Sequence, residues 1–479
     1  MPSCMADLQW TQYGHCDTES CPPCCSRRTV RDRPPRVRDR SWKSSSGRAY
    51  TPPQMSLASD HALHELPGGA RLLTAPLPAR ASASLVLMFG VGSRFEEDRI
   101  GGISHFIEHL AFKGTRRRPT SQAIAEAIEG VGGVMNASTD KEVTTYWARV
   151  PADRLGLAVD VVGDIVSDSQ LASPDVERER MVILEELKMY LDQPQDYVHS
   201  LFEEVMWPGH PLGRDIIGTV DSVSGTTRDD LVGYLREHYR PANLVAGISG
   251  GIVPEQAKRL VEEHLDLPGQ GAVSNHQSAP GPLHGPEVGL LRKETEQAHV
   301  CLGARGLSYL DEDRYILDLL TTILGEGMSS RLFLEIRERR GLAYDVHAYT
   351  SKHRDAGYFG IYMGVDPKNA QEAVEAAVAE LRRMIGQSVP DAELTKAKEF
   401  VKGRLRLGLE STNALASWLC QQVLLTDRTL TVDEVVAKVD KVTAEDVQRV
   451  ARQVLGGPLR AAVIGPFTTD APFRAAIGA

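Results

Sequence analysis

The chain has 479 residues, of which 25% are charged and 42% apolar, and its formal net charge is −10. That length exceeds one comfortable hydrophobic core and predicts two domains, and no apolar run approaches the roughly 20 residues of a membrane helix. The acidic balance disfavours a nucleic-acid partner, and no membrane-spanning segment is predicted.

Residues 1–54 stand apart. They carry nine Lys/Arg against five Asp/Glu, and five of the seven cysteines: Cys4, Cys16, Cys21, Cys24 and Cys25. Cys21-Pro-Pro-Cys24 with Cys16 and His15 offers a conceivable zinc set. However, the Pro-, Arg- and Ser-rich stretch from Ser26 to Pro53 has no periodic apolar face, so a disordered extension dispensable for the fold is expected. No apolar core of a secretion signal is present, and prolines with Asp32 and Asp39 interrupt any amphipathic presequence helix. The expected location is cytoplasmic, or the mitochondrial matrix if the extension acts as a presequence. Cys301 and Cys420 read as structural thiols of a reduced compartment.

Residues 55–266 form the first predicted domain. Leu85 to Val91 reads as a buried strand. Next comes Gly101-Gly-Ile-Ser-His-Phe-Ile-Glu-His-Leu-Ala-Phe-Lys-Gly-Thr115, which spells H-x-x-E-H on a helix. At about 100° per residue, His105 and His109 fall one turn apart on one face, with Glu108 beside them. Imidazole and carboxylate are zinc ligands, and two His plus a more distant acid leave a coordination position for water. Alone, the motif fits either a zinc hydrolase or paired His of an ordinary amphipathic helix.

Gly132 to Arg149 predicts a glycine turn followed by strands rich in β-branched and aromatic residues. An edge strand there would capture an extended peptide through its backbone. Ser173 to Leu191 predicts a helix with adjacent acids, Glu185 and Glu186. Steps of three and four from Glu186 meet Val182, Ile183, Met189 and Tyr190, whereas those from Glu185 meet Met181, Val182, Lys188 and Met189. Glu186 thus lies nearer the expected apolar stripe and is the better ligand. Glu179, two turns earlier, is either a carboxylate orienting a ligand His or an acid favoured by the helix dipole.

Residues 267–287, rich in Gly, Pro and Ser, form the expected linker, and residues 288–479 the second domain. A displacement of 216 residues aligns Ser84–Gly90 with Val300–Gly306, Thr227–Leu231 with Thr443–Val447, and Val245–Ile248 with Ala461–Ile464. The expected fold is therefore α+β: two homologous domains related by internal duplication, each a mostly antiparallel sheet covered mostly on one side by helices. His105, Glu108 and His109 align with Thr321, Leu324 and Gly325, so the second domain is expected to lack metal ligands.

With a glutamate 77 positions after the second His, the chain resembles the inverted-zincin peptidases of the pitrilysin and insulinase group. It is closest to the half-length branch of bacterial processing-type peptidases and mitochondrial processing peptidase subunits. The resemblance runs from about Leu63 to Phe467 and includes Asn136–Tyr146, Glu185–Pro194, His210–Gly213, Ile217–Thr219, Gly327–Phe333 and Ile336–Tyr344. It implies a zinc endopeptidase with one Zn2+ per chain, held by His105, His109 and Glu186, with Glu108 as general base. It places Asn136 and Ala137 at the peptide-binding edge. Arg337 and Tyr344 match a pair set over the metal from across a chamber, to bind a substrate carbonyl and donate to its oxygen. Peptide substrates and a homodimer enclosing the site follow from the same resemblance. The alternative is a non-catalytic peptide-binding scaffold of the same fold.

Overall fold

A computed structural model describes residues 61–267, 269 and 275–478. The expected extension 1–54, with its five cysteines and His15, lies outside the described residues, as does part of the 267–287 segment.

The fold is α+β. Strands β1 (Ala62–Glu65), β2 (Arg71–Pro76), β3 (Ser82–Phe89), β4 (Val134–Thr139), β5 (Thr144–Pro151) and β6 (Leu244–Gly250) form one sheet. Its order is β1-β2-β6-β3-β5-β4, antiparallel throughout but for the parallel pair β2–β6. The second sheet holds β7 (Glu287–Arg292), β8 (Ala298–Arg305), β9 (Ala343–Lys352), β10 (Gly357–Val365) and β11 (Arg460–Gly465). Its order, β7-β11-β8-β10-β9, with β7–β11 parallel, repeats the path from β2 to β4. The bounds of β7 and β8 are those of β2 and β3 displaced by 216 positions. Thr227 and Thr443 each cap the start of a helix, accepting from the backbone of Asp230 and Asp446, whose carboxylates return the bond.

On one face of the first sheet lie α1 (Ile103–Ala111), α2 (Ser121–Glu129), α3 (Leu155–Ser167) and, outside α1, α4 (Ser173–Leu191). Alternation along β3 sends Leu85, Leu87 and Phe89 into this core with Ile103, Phe106 and Ile107 of α1 and Val162 and Ile165 of α3. Each such side chain contributes roughly 1.5–3 kcal/mol by leaving water.

The opposite faces of the sheets are not bare, although the cover lies mostly on one side as expected. Val86, Met88 and Val245 pack on Leu415, Leu419 and Val423 of the helix Thr412–Thr426. On the second sheet, Cys301, Tyr362 and Ile464 pack on Val198, Phe202 and Met206 of α5 (Pro194–Met206). Each half therefore lends a helix to the other's sheet, and both faces are dry. Contact is close enough that a Cβ at Gly247 of β6 would lie 2.4 Å from Cys420 Sγ. The periodicity of a helix reports that it has a buried stripe, not which sheet the stripe meets.

An ion network around buried Arg94 also joins the halves. Arg94 binds Glu142 at 2.5 Å and Asp355, in the β9–β10 turn, at 2.6 and 2.9 Å. Among the described residues, no helix is long and apolar enough to cross a membrane.

Candidate metal centre

Helix α1 buries His105 and Glu108 and leaves His109 half-exposed. Its neighbour α4 brings Glu186 to the same point. Glu186 Oε2 lies 3.8 Å from His105 Nε2 and 3.5 Å from His109 Nε2, and one donor atom from each residue falls within 4.8 Å of the others. Tetrahedral ligands about 2 Å from a zinc ion stand about 3.3 Å apart, so this donor set fits the ion. Burial pushes the His105 imidazole down to about 3, with His109 adding to the effect, so the ring is neutral and offers a lone pair. Burial also raises the Glu186 carboxyl, against the pull of His109, and a divalent cation would reverse that. Among the described residues this is the one such group of three.

The reason α4 presents Glu186 differs from the one expected. Val182 and Met189 are exposed at 47% and 54%, and the buried line of α4 is Val176, Glu179, Ile183 and Leu187. Glu186 lies one turn beyond Ile183, at the edge of that line. Glu185 is exposed and pairs with Lys188 at 2.6 Å. Buried Glu179 accepts from His109 Nδ1 at 3.3 Å and pairs with Lys113 at 2.8 Å. Burial opposes its ionisation, but these two partners outweigh it and hold the carboxyl below its ordinary value. Its contacts are thus to the His109 imidazole and a lysine.

Glu108 stands beside the ligands and is not one of the three. Burial raises its carboxyl, and Thr139 Oγ1 donates to its Oε2 at 2.6 Å. Thr139 ends β4, the outer strand of the sheet, on which Asn136 is exposed and Ala137 buried. The Asn136 side chain accepts from Ala137 N at 2.9 Å. Sequence reasoning did not single out Thr139 or Lys113. Thr139 lies inside the Asn136–Tyr146 stretch, and Lys113 one turn past His109.

Arg337 lies in a short π-helical segment, Phe333–Arg339, its guanidinium 4.8 Å from the ring centres of both Phe333 and Tyr344. Tyr344, on β9, is 70% exposed. Among the described residues, no hydrogen bond or ion pair links Arg337 or Tyr344 to His105, Glu108, His109 or Glu186. In the helix Arg314–Gly325, which answers to α1, Leu324 is buried, and a Cβ at Gly325 would lie 2.2 Å from Ala348 N. No side chain fits where the first half has His109.

Residues 71–220 match the family model described as insulinase (peptidase family M16), and residues 226–401 the model described as peptidase M16 inactive domain. An uncharacterized zinc protease of Streptomyces coelicolor is 40% identical over 437 residues, 88% of this chain and 95% of that one. Another from Bacillus subtilis is 35% identical over 398 residues, 83% and 96% of the two chains. The crystal structure of a protease from Helicobacter pylori superposes with a TM-score of 0.80 at 23% identity, over 85% of this chain and 99% of that one. With both halves matched in order, and relatives covered almost from end to end, the chain belongs to the insulinase family of M16 peptidases.

Proposed function

We propose that this chain is a zinc-dependent endopeptidase that hydrolyses peptides or flexible protein segments inside a chamber closed by a second copy of itself. The observation that carries this reading is the convergence of His105, His109 and Glu186, with the buried carboxyl of Glu108 alongside. One zinc ion per chain, held by those three, would supply Lewis-acid activation of water and of the scissile carbonyl.

The chain's own groups do the rest. Glu108 takes the proton of the attacking water and returns it to the leaving amine. A carboxyl raised by burial suits both halves of that task, and Thr139 fixes one of its oxygens. Glu179 holds the His109 ring in place. The free edge of β4, at Asn136 and Ala137, pairs with an extended substrate by backbone bonds, which demands little of its sequence. Arg337 and Tyr344 of one protomer face the metal centre of the other. There the guanidinium binds a substrate carbonyl, and the phenol donates to the scissile oxygen as negative charge develops.

Purified chain should cleave an unstructured peptide, lose that activity to a chelator, and regain it with one equivalent of zinc. Its mass in solution should be that of two chains. Zinc binding without cleavage would favour the scaffold reading.

A further inference from the structure

His109 is oriented by Glu179, but among the described residues His105 Nδ1 is buried with no hydrogen-bond partner. The position of this imidazole is therefore left to the backbone of α1. That helix has nine residues, too few to be stable alone, and its N-cap residue, Gly102, has no capping side chain of its own. Glu96 supplies the missing acceptor from outside the helix. It is buried, and its Oε2 accepts from Gly102 N at 2.7 Å while its Oε1 accepts from Ser104 N at 2.9 Å. Ser104 directly precedes His105.

The surrounding contacts leave this first turn little freedom. Arg214 donates to the backbone oxygen of Glu96 at 2.8 Å and lies 4.0 Å from its carboxylate. Ser222 Oγ donates to Gly101 O at 2.7 Å. Gly102, at φ +91°, approaches Ile217 so closely that a Cβ would sit 2.4 Å from its carbonyl oxygen. Two carboxyl oxygens on two free N–H groups fix both the axial height and the rotation of the turn.

We propose that Glu96 is a positioning residue of the metal centre, setting His105 through the first turn of α1 as Glu179 sets His109 through its ring. The proposal rests on the reading of His105, His109 and Glu186 as metal ligands. In Glu96→Gln one prong becomes an amide N–H facing a backbone N–H, so the grip is lost at almost constant volume.

The test measures zinc affinity by chelator competition and the visible spectrum of the cobalt(II)-substituted protein, on wild type and on Glu96→Gln shown by circular dichroism to be folded. Zinc should bind the variant at least roughly 10-fold more weakly, the order seen when groups behind a metal ligand are removed, with a shifted cobalt band. A smaller loss overturns the proposal while leaving the metal centre standing. A wild-type chain that binds no zinc overturns the metal reading itself. If Glu96→Gln does not fold, Glu96→Asp, which keeps the carboxyl group but on a stem too short to reach both N–H groups, is held to the same limits. If neither folds, Glu96 serves the fold and the proposal fails.

Discussion

Buried titratable side chains outside the metal centre give the residue scale its own test. His353 is pushed down to about 3, by burial first and then by Lys141 and Arg94, and His199 to about 4, by burial and then by His347 and His299. Both are neutral in the folded protein, whereas in the unfolded chain they take up a proton below about 6.5. Their contribution to stability is therefore full above pH 6.5 and declines as the pH falls. It is exhausted once the pH has passed about 4 for His199 and about 3 for His353. Within that window each site adds a slope of about 1.4 kcal/mol per pH unit. Burial raises the Glu96 carboxyl to about 7 and so gives an opposite slope, but in denaturant unfolding His353→Gln should lose less stability than wild type between about pH 7 and about pH 5. A His353→Gln variant that loses stability with acid as steeply as wild type would show that this ring is not held neutral.

At the scale of elements, α4 decides which acid stands beside His105 and His109. Glu186→Gln should strip most of the zinc, and Glu185→Gln, which breaks only an exposed pair with Lys188, should leave metal content near that of wild type. Metal analysis of the two purified variants checks this, and the reverse pattern would contradict it. The H-x-x-E-H face was legible because ligands one turn apart need only the period of a helix. The structure sets Glu186 and not Glu185 beside the two histidines, but not through the expected stripe, since Val182 and Met189 are exposed and the inward line runs through Glu179 and Ile183. The duplication was legible because three stretches kept one spacing. The exchange of α5 for the helix Thr412–Thr426 was not, because both have apolar faces that would suit either sheet. Thr139 and Glu96 escaped notice because a polar residue gains its role only when distant segments meet.

For the whole molecule, the proposed meeting of Arg337 and Tyr344 with the metal centre of a second copy would make assembly part of the chemistry. Tyr344→Phe should lower kcat by roughly 10²-fold, the order for one lost oxyanion donor, with zinc retained. Mixed with inactive Glu108→Gln chains, it should regain activity, because one site of each mixed dimer has wild-type parts from both. No rescue despite demonstrated subunit exchange would place the pair's action within its own chain. The central claim is that Glu108 moves protons at a metal held by other residues. It is tested most directly by measuring bound zinc and peptide hydrolysis on one preparation of Glu108→Gln. Zinc at the wild-type stoichiometry with hydrolysis abolished is the expected result, and retained turnover would contradict it.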